Sequence, residues 1–464
     1  MGVLVYVASA AAAIGGFLFG YDTGVISGVL VMDRFKDRFG YADKPALEGF
    51  ITSSLTLGCL IGSLSASYMA DRFGRKFSIM MAGFCFTIGA ALQCSSFEIA
   101  QLLIGRIIAG LAIGVLSMVV PLYQSEIAPR EIRGTLVSMQ QLAITIGILV
   151  AFLVNMGTDK LTTDASWRIP LGVQGFPALT LSLLMFFLPK SPRWLMSQGH
   201  SEQAMHVLQK LSNNPDEELE DITQTIRMEK EMAAPTWTEL FRSGLRRRVF
   251  IGIAIQVFQQ LTGINAIMYY APTIFKSAGY HGNNAQLTAT AINGAVNVGM
   301  TIPAVLYVDR IGRRPLLLIG AACMATTMVT LGALIAVYSP HHFEVLSAGK
   351  ASIAMIYLFV AAFAFTWGPI GWIYPSEIYP NRVRAKCMSV TTASNWVFNF
   401  IIGEVVPPLM KSINWGLYII FGACGVLMFI FVIFFVPETK GKSLEQIDHM
   451  FGGGAQLDEK TEKC

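Results

Sequence analysis

About twelve apolar stretches, each near the length that spans a bilayer, recur along this chain between short polar connections. They run over 6–32, 50–70, 78–96, 101–123, 135–156, 168–188, 249–275, 286–308, 315–338, 351–375, 386–410 and 414–436. In lipid every backbone N–H and C=O must find a partner within the protein, so only helices and closed barrels cross. Blocks of this length are helical, because a barrel would show shorter segments of alternating polarity. Charged residues make up only 14% of the chain against 53% hydrophobic ones, too few to cover a water-soluble fold of this size. The fold class expected is therefore an all-α membrane protein with twelve transmembrane helices.

The polar connections repeat at about half the length of the chain. Asp71-Arg72-Phe73-Gly74-Arg75-Lys76 returns as Asp309-Arg310-Ile311-Gly312-Arg313-Arg314. Ser125-Glu126-Ile127-Ala128-Pro129, followed by Arg133, returns as Ser376-Glu377-Ile378-Tyr379-Pro380, followed by Arg384. Pro189-Lys190-Ser191-Pro192-Arg193 has a looser echo in Pro437-Glu438-Thr439-Lys440-Gly441. The one long polar stretch, Lys190 to Arg248, divides the spans six and six, and Ser201–Leu211 and Glu217–Met232 within it have helical spacing. We expect two pseudo-symmetric six-helix bundles, 1–189 and 249–437, joined by linker helices over 190–248, with a polar tail over 438–464. Two matching halves in a membrane are typical of a transporter with its substrate held between them. Basic clusters fall in the even-numbered connections, which places those loops and both termini in the cytoplasm. The first apolar run lacks a basic leader region and reads as the first span. Gly452-Gly453-Gly454 reads as a flexible part of the tail.

Three groups of residues could carry chemistry. Asp71, Arg72, Arg75, Glu126 and Arg133, with their counterparts Asp309, Arg310, Arg313, Glu377 and Arg384, gather at the inner ends of spans. They either fix topology or latch the two halves shut on the cytoplasmic side. Asp22 sits within the first span, where an acid costs roughly 2.5–3.5 kcal/mol on insertion scales. Arg106 in the fourth span is its candidate partner. The pair is either a static link between helices or a site that protonation opens. A third group is polar and uncharged: Gln140, Gln141, Gln259, Gln260, Asn265, Asn297, Asn395 and Asn399. Amides donate and accept, which suits a ligand covered in hydroxyls, and Trp372 and Trp396 offer flat faces to a sugar ring. The competing reading is hydrogen-bonding glue between helices. Gln260 and Asn265, five residues apart, converge on one ligand only if the helix loosens near Thr262-Gly263 or the ligand is broad. Pro369, with Gly368 and Gly371, offers a similar hinge in the tenth span.

These segments resemble the sugar porter family of the major facilitator superfamily, most closely the fungal and plant monosaccharide carriers. The likeness rests on GGFLFGYDTGVISG, DRFGRK, PLYQSEIAP, PKSPR, QQLTGINAIMYY, DRIGRR, GPIGWIYPSEIYP, SNWVFNF and PETKG, and covers Gly15 to Gly441. It implies the major facilitator fold and alternating access to one central monosaccharide, a hexose such as glucose. By motif, Gln141, Gln259, Gln260, Asn265, Asn297, Trp372, Asn395 and Trp396 match sugar-contact positions, while Phe19, Tyr269 and Asn399 match positions near the sugar. Asp22 and Arg106 match the proton-coupling pair of symporting members. Some fungal facilitators also carry Asp there, so passive exchange stands as the alternative to proton symport. The expected address is the plasma membrane and the expected state a monomer in the bilayer, with neither cofactor nor nucleic acid as partner. Two other classes are weaker. A transporter-like sugar sensor usually needs a longer tail. An enzyme finds no nucleophile–base arrangement, no metal-ligand spacing, and histidines only in loops and cytoplasmic segments.

Overall fold

The computed structural model describes residues 3–442 except 42–43, 129–132, 213, 232–235, 242–244, 278–282 and 339–345, together with Ile447, Met450 and Phe451. Among the described residues every regular element is a helix. The first six spans are Val3–Val29, Pro45–Arg72, Arg75–Cys94, Ile99–Ile127, Arg133–Thr158, and a sixth made of Ala165–Val173 and Gly175–Phe187. The seventh is made of Leu245–Leu261 and Ile264–Tyr269, with Ala271–Ser277 after it. The eighth and ninth are Asn283–Ile311 and Arg313–Tyr338. The tenth joins Leu346–Phe365 to Trp367–Ile378, and the last two are Arg384–Ser412 and Trp415–Phe435. Pro192–Ser197, Ser201–Leu211, Pro215–Glu231 and a 3₁₀ turn over Trp237–Phe241 form the linker. The run Gly452-Gly453-Gly454 lies outside the described residues.

Eleven of these helices or helix pairs are long and apolar enough to cross a bilayer. The exception is Arg384–Ser412, which has the length but not the apolarity expected of it. The reason is burial. Ser389, Thr391, Thr392, Asn395 and Asn399 all point inward, where protein and not lipid surrounds them. This eleventh span packs along the second, and the eighth packs along the fifth, so these two seams join the halves. On the second–eleventh seam Ser389 Oγ donates to Ser63 O at 2.7 Å toward the Arg72 end of the second span, and Ser53 Oγ donates to Glu404 Oε2 at 2.9 Å toward its Pro45 end. The seam is closed along its length.

Within the first half the first span lies on the fifth so closely that a Cβ on Gly20 would collide with the carbonyl of Ile144. Close backbone approach through small residues is how membrane helices gain packing. The first span starts at Val3 and ends at Val29, so Asp22 lies in its C-terminal half.

Both expected hinges are present. The seventh span breaks between Leu261 and Ile264, where Gly263 takes φ 88°, a left-handed conformation that favours glycine. The tenth breaks at Thr366, φ −125° and ψ −83°, just ahead of the Gly368-Pro369 pair. Proline lacks the N–H that would have bonded back across this turn, so the helix restarts instead of continuing.

Candidate functional site

The two broken spans belong to the second half, and Gln259 of the seventh ties onto the restart of the tenth: its Nε2 donates to Trp367 O at 3.0 Å and to Gly368 O at 3.2 Å. Gln256, one helical turn earlier, donates to Gly371 O at 2.7 Å. Broken backbone at membrane depth is tolerated only with such partners or where it lines a cavity, and here both hold.

The cavity is bounded by Phe19, Gln141, Gln259, Gln260, Asn265, Asn297 and Trp372, with Thr23, Met268, Phe363 and three isoleucines completing it. No charged side chain lines it, and its free volume is about 50 Å³, so the walls are drawn in around the site. The break at Gly263 turns Asn265 back toward Gln260, and Asn265 Nδ2 donates to Gln260 Oε1 at 2.6 Å. Gln260 in turn donates to Asn395 Oδ1 at 3.0 Å, and Asn395 Nδ2 donates to Gln259 Oε1 at 2.9 Å and Gln256 Oε1 at 2.5 Å. The amides thus form one oriented network. Asn297, across the cavity on the eighth span, is buried and its Oδ1 has no hydrogen-bond partner among the described residues. A buried acceptor left unpaired is costly unless a ligand or water completes it.

Five of the expected residues stand behind the wall instead of in it. Asn395 serves the network just described. Trp396 is fully buried; its ring packs edge-on against Phe19 at 4.9 Å, and its Nε1 donates to Ser117 Oγ at 3.2 Å. Tyr269 donates its hydroxyl to Asn399 Oδ1 at 3.0 Å, pairing those two with each other. Gln140, beside Gln141, is also turned away from the cavity. The apolar wall went unread in the sequence, although spacing marks it: Ile144 and Ile148 follow Gln141 by three and seven residues, one face of a helix, and Thr23 follows Phe19 by four.

Asp22 adjoins Thr23 and is fully buried, as is Arg106. Arg106 Nη2 stands 3.5 Å from Asp22 Oδ2 and donates to Thr52 O at 3.1 Å. Neither Asp22 oxygen has a hydrogen bond among the described residues, and Nε and Nη1 of Arg106 have none either. The two charges are paired loosely. Such a pair gives little net stability, but removing one partner strands the other at about 3–5 kcal/mol.

At the inner ends, the repeated loops form ion pairs within each half. Arg75 meets Asp71 at 3.4 Å and Glu126 at 2.9 Å; Arg313 meets Asp309 at 2.8 Å and Glu377 at 2.6 Å. The arrangement braces three span ends of one bundle together. Arg72 lies over Tyr68 and Arg310 over Tyr307, each using a ring on its own helix. Arg384 Nε donates to Tyr379 O at 3.3 Å. Arg133 begins the fifth span, with its side chain outside the described set.

Residues 8–451 match the family described as Sugar (and other) transporter. The MFS glucose transporter mfs1 of Aspergillus flavus is 38% identical, covering 99% of this chain and 92% of its own length. Sugar transport protein 7 of Arabidopsis thaliana is 39% identical over 96% of this chain and 89% of its own. Among solved structures, the proton:xylose symporter XylE bound to 6-bromo-6-deoxy-D-glucose is similar with a TM-score of 0.84 at 33% identity, covering 97% of this chain and 99% of that one. The inward open conformation of XylE from E. coli gives 0.77 at 32% identity, covering 96% and 99%.

Proposed function

Because the chain belongs to the sugar transporter family, a family of multi-pass membrane transporters and not of enzymes, we propose that it moves a hexose such as glucose across the plasma membrane by alternating access, coupled to a proton. The observation that carries this reading is the uncharged, amide-lined cavity between two broken helices, with the buried acceptor of Asn297 left open. Gln141, Gln260, Asn265 and Asn297 bond the sugar hydroxyls, and Trp372 takes the apolar face of the ring. Gln259, Gln256 and Asn395 hold those amides in register, while Phe19 and Trp396 close the wall on the first-half side. Both walls come from one chain, so a monomer suffices.

Coupling runs through Arg106. While Asp22 is ionised it holds Arg106, and Arg106 holds the carbonyl of Thr52. The neighbouring Ser53 makes the outer inter-half bond to Glu404, so the proton pair and the outer end of the seam share one stretch of the second span. Protonating Asp22 frees Arg106 and lets this stretch shift, and the hinges at Gly263 and Thr366 take up the movement. The ion pairs around Arg75 and Arg313 keep each bundle rigid during that rocking and form the cytoplasmic gate together with Arg72, Arg133, Arg310 and Arg384. Basic loops keep this end, and both termini, in the cytoplasm.

Uptake of labelled glucose, galactose, xylose and fructose in a transport-deficient host, with and without a protonophore, tests the reading. One hexose should accumulate, and the protonophore should abolish the accumulation. Sugar added to de-energised vesicles should alkalinise the medium; sugar entry without any pH change would instead mark a passive uniporter.

A further inference from the structure

A second cavity lies apart from the central one. About 240 Å³ lies open at the cytoplasmic edge of the first half, bounded by Arg75, Lys76, Lys190, Ser191, Trp194 and a group of phenylalanines. Three cations and no acid line it. Arg75 is neutralised by Asp71 and Glu126, and Ser191 donates to the same Glu126. Lys76 Nζ donates to the carbonyl of Phe186 at 2.8 Å, and Lys190 Nζ sits over the Trp194 ring at 5.5 Å. Neither lysine has a described carboxylate partner.

The second half shows what belongs at this place. There Thr439 donates to Glu377 at 2.7 Å, as Ser191 does to Glu126, and Arg314 Nη2 donates to Ile433 O at 2.8 Å, as Lys76 does to Phe186. The two inner ends correspond contact by contact. The difference is one residue. In Pro437-Glu438-Thr439 the chain supplies a carboxylate, which accepts the N–H groups of Arg313 and Arg314 at 3.0 and 2.9 Å. In Pro189-Lys190-Ser191 it supplies a cation instead, and a cavity stands open beside it. On the membrane side Phe73, Phe77 and Phe186 are exposed.

We propose that this cavity binds the headgroup phosphate of an anionic phospholipid of the cytoplasmic leaflet, between Lys76 and Lys190, with the acyl chains along Phe73, Phe77 and Phe186. Charge selects the anion: two uncompensated lysines at the leaflet that carries the anionic lipids. The exposed phenylalanines select a lipid over a soluble phosphate, because they continue the basic cleft into the hydrocarbon zone. The indole of Trp194 lines the cavity at the end of the spans, and tryptophan is enriched where membrane meets water.

The test is native mass spectrometry of the full chain equilibrated in mixed phosphatidylcholine and phosphatidylglycerol. The wild type should retain phosphatidylglycerol preferentially. Lys76→Gln and Lys190→Gln should each weaken that preference by about five-fold, and Lys190→Glu, which restores the carboxylate of the second half, should abolish it. Equal retention of the two lipids by the wild type, or a preference unchanged in all three variants, overturns the proposal. So does equal protection against thermal unfolding by inorganic phosphate in phosphatidylcholine alone, which would identify a soluble anion as the occupant. The readout is lipid retention, independent of any transported sugar.

Discussion

By their order within each half, the first and fourth spans correspond to the seventh and tenth, yet the two pairs are built differently. The first and fourth run unbroken over Val3–Val29 and Ile99–Ile127, and they carry the buried charges Asp22 and Arg106. The seventh and tenth are each interrupted, at Gly263 and Thr366, and they carry amides and an indole on the cavity wall. A charged pair can switch between two states when a proton arrives, and rigid helices carry that switch over distance. Broken helices can close on a neutral ligand, and the amides that bind their backbone there can also read hydroxyls. On the proposed function, the comparison assigns the driving ion to the first half and most of the cargo's polar contacts to the second, with Gln141 the first half's share.

The largest effect expected comes from Asp22→Asn. It should abolish accumulation of sugar against a gradient while sugar exchange across the membrane continues, measured as counterflow in vesicles. A variant that still accumulates would break the assignment of coupling to the unbroken half. Next is Asn297→Ala, which removes a ligand acceptor and no internal bond. KM should rise by about ten-fold, the weight of one hydrogen bond at roughly 1–1.5 kcal/mol, with the accumulation ratio unchanged. A changed ratio with KM intact would invert the division of labour.

Gly263→Ala sharpens the role of the hinge. A Cβ there meets the Phe421 ring at 2.7 Å, and the left-handed backbone adds about 1–2 kcal/mol of strain. Thermal stability and uptake rate should both fall, and unchanged uptake would mean the break is not a working hinge. The smallest effect is at the inner edge. Burial pushes the carboxyl of Glu438 up, but N–H groups of Arg313, Lys440, Arg314 and Thr439 outweigh it and hold the group below its ordinary value of 4.5. The stability it contributes is therefore full above that value and is lost as pH falls through the depressed one. Glu438→Gln should lower Tm by a few degrees at neutral pH and flatten its acid limb; a parallel acid limb in both proteins would assign the loss to other groups.

Much of this was legible because membrane helices obey few rules. Length and apolarity mark most spans, and an acid in a span has to find a base, so Asp22 with Arg106 could be paired on paper. Gly263 and Pro369 marked the hinges to within a few residues. The eleventh span shows the limit: its polar residues are hidden between the halves, and only tertiary packing tells such a helix from a water-facing one. The amides show another. Asn297 faces the cavity and Asn395 braces it, though both are buried asparagines on inner helices, and only the position of the neighbouring glutamines separates the roles. For the loops carrying Arg75 and Arg313 the sequence leaves topology marker and latch both open, because it shows charges of both signs but not which acid each arginine turns toward.

The central claim is that a sugar sits in the amide-lined cavity between the two halves. A structure of the full chain determined with D-glucose bound tests it most directly. We expect the ring to lie against Trp372, with its hydroxyls bonded to Gln141, Gln260, Asn265 and Asn297 and the side chain of Asn395 not touching it. Glucose found at another site, or in this cavity without any bond to Asn297, would contradict the account.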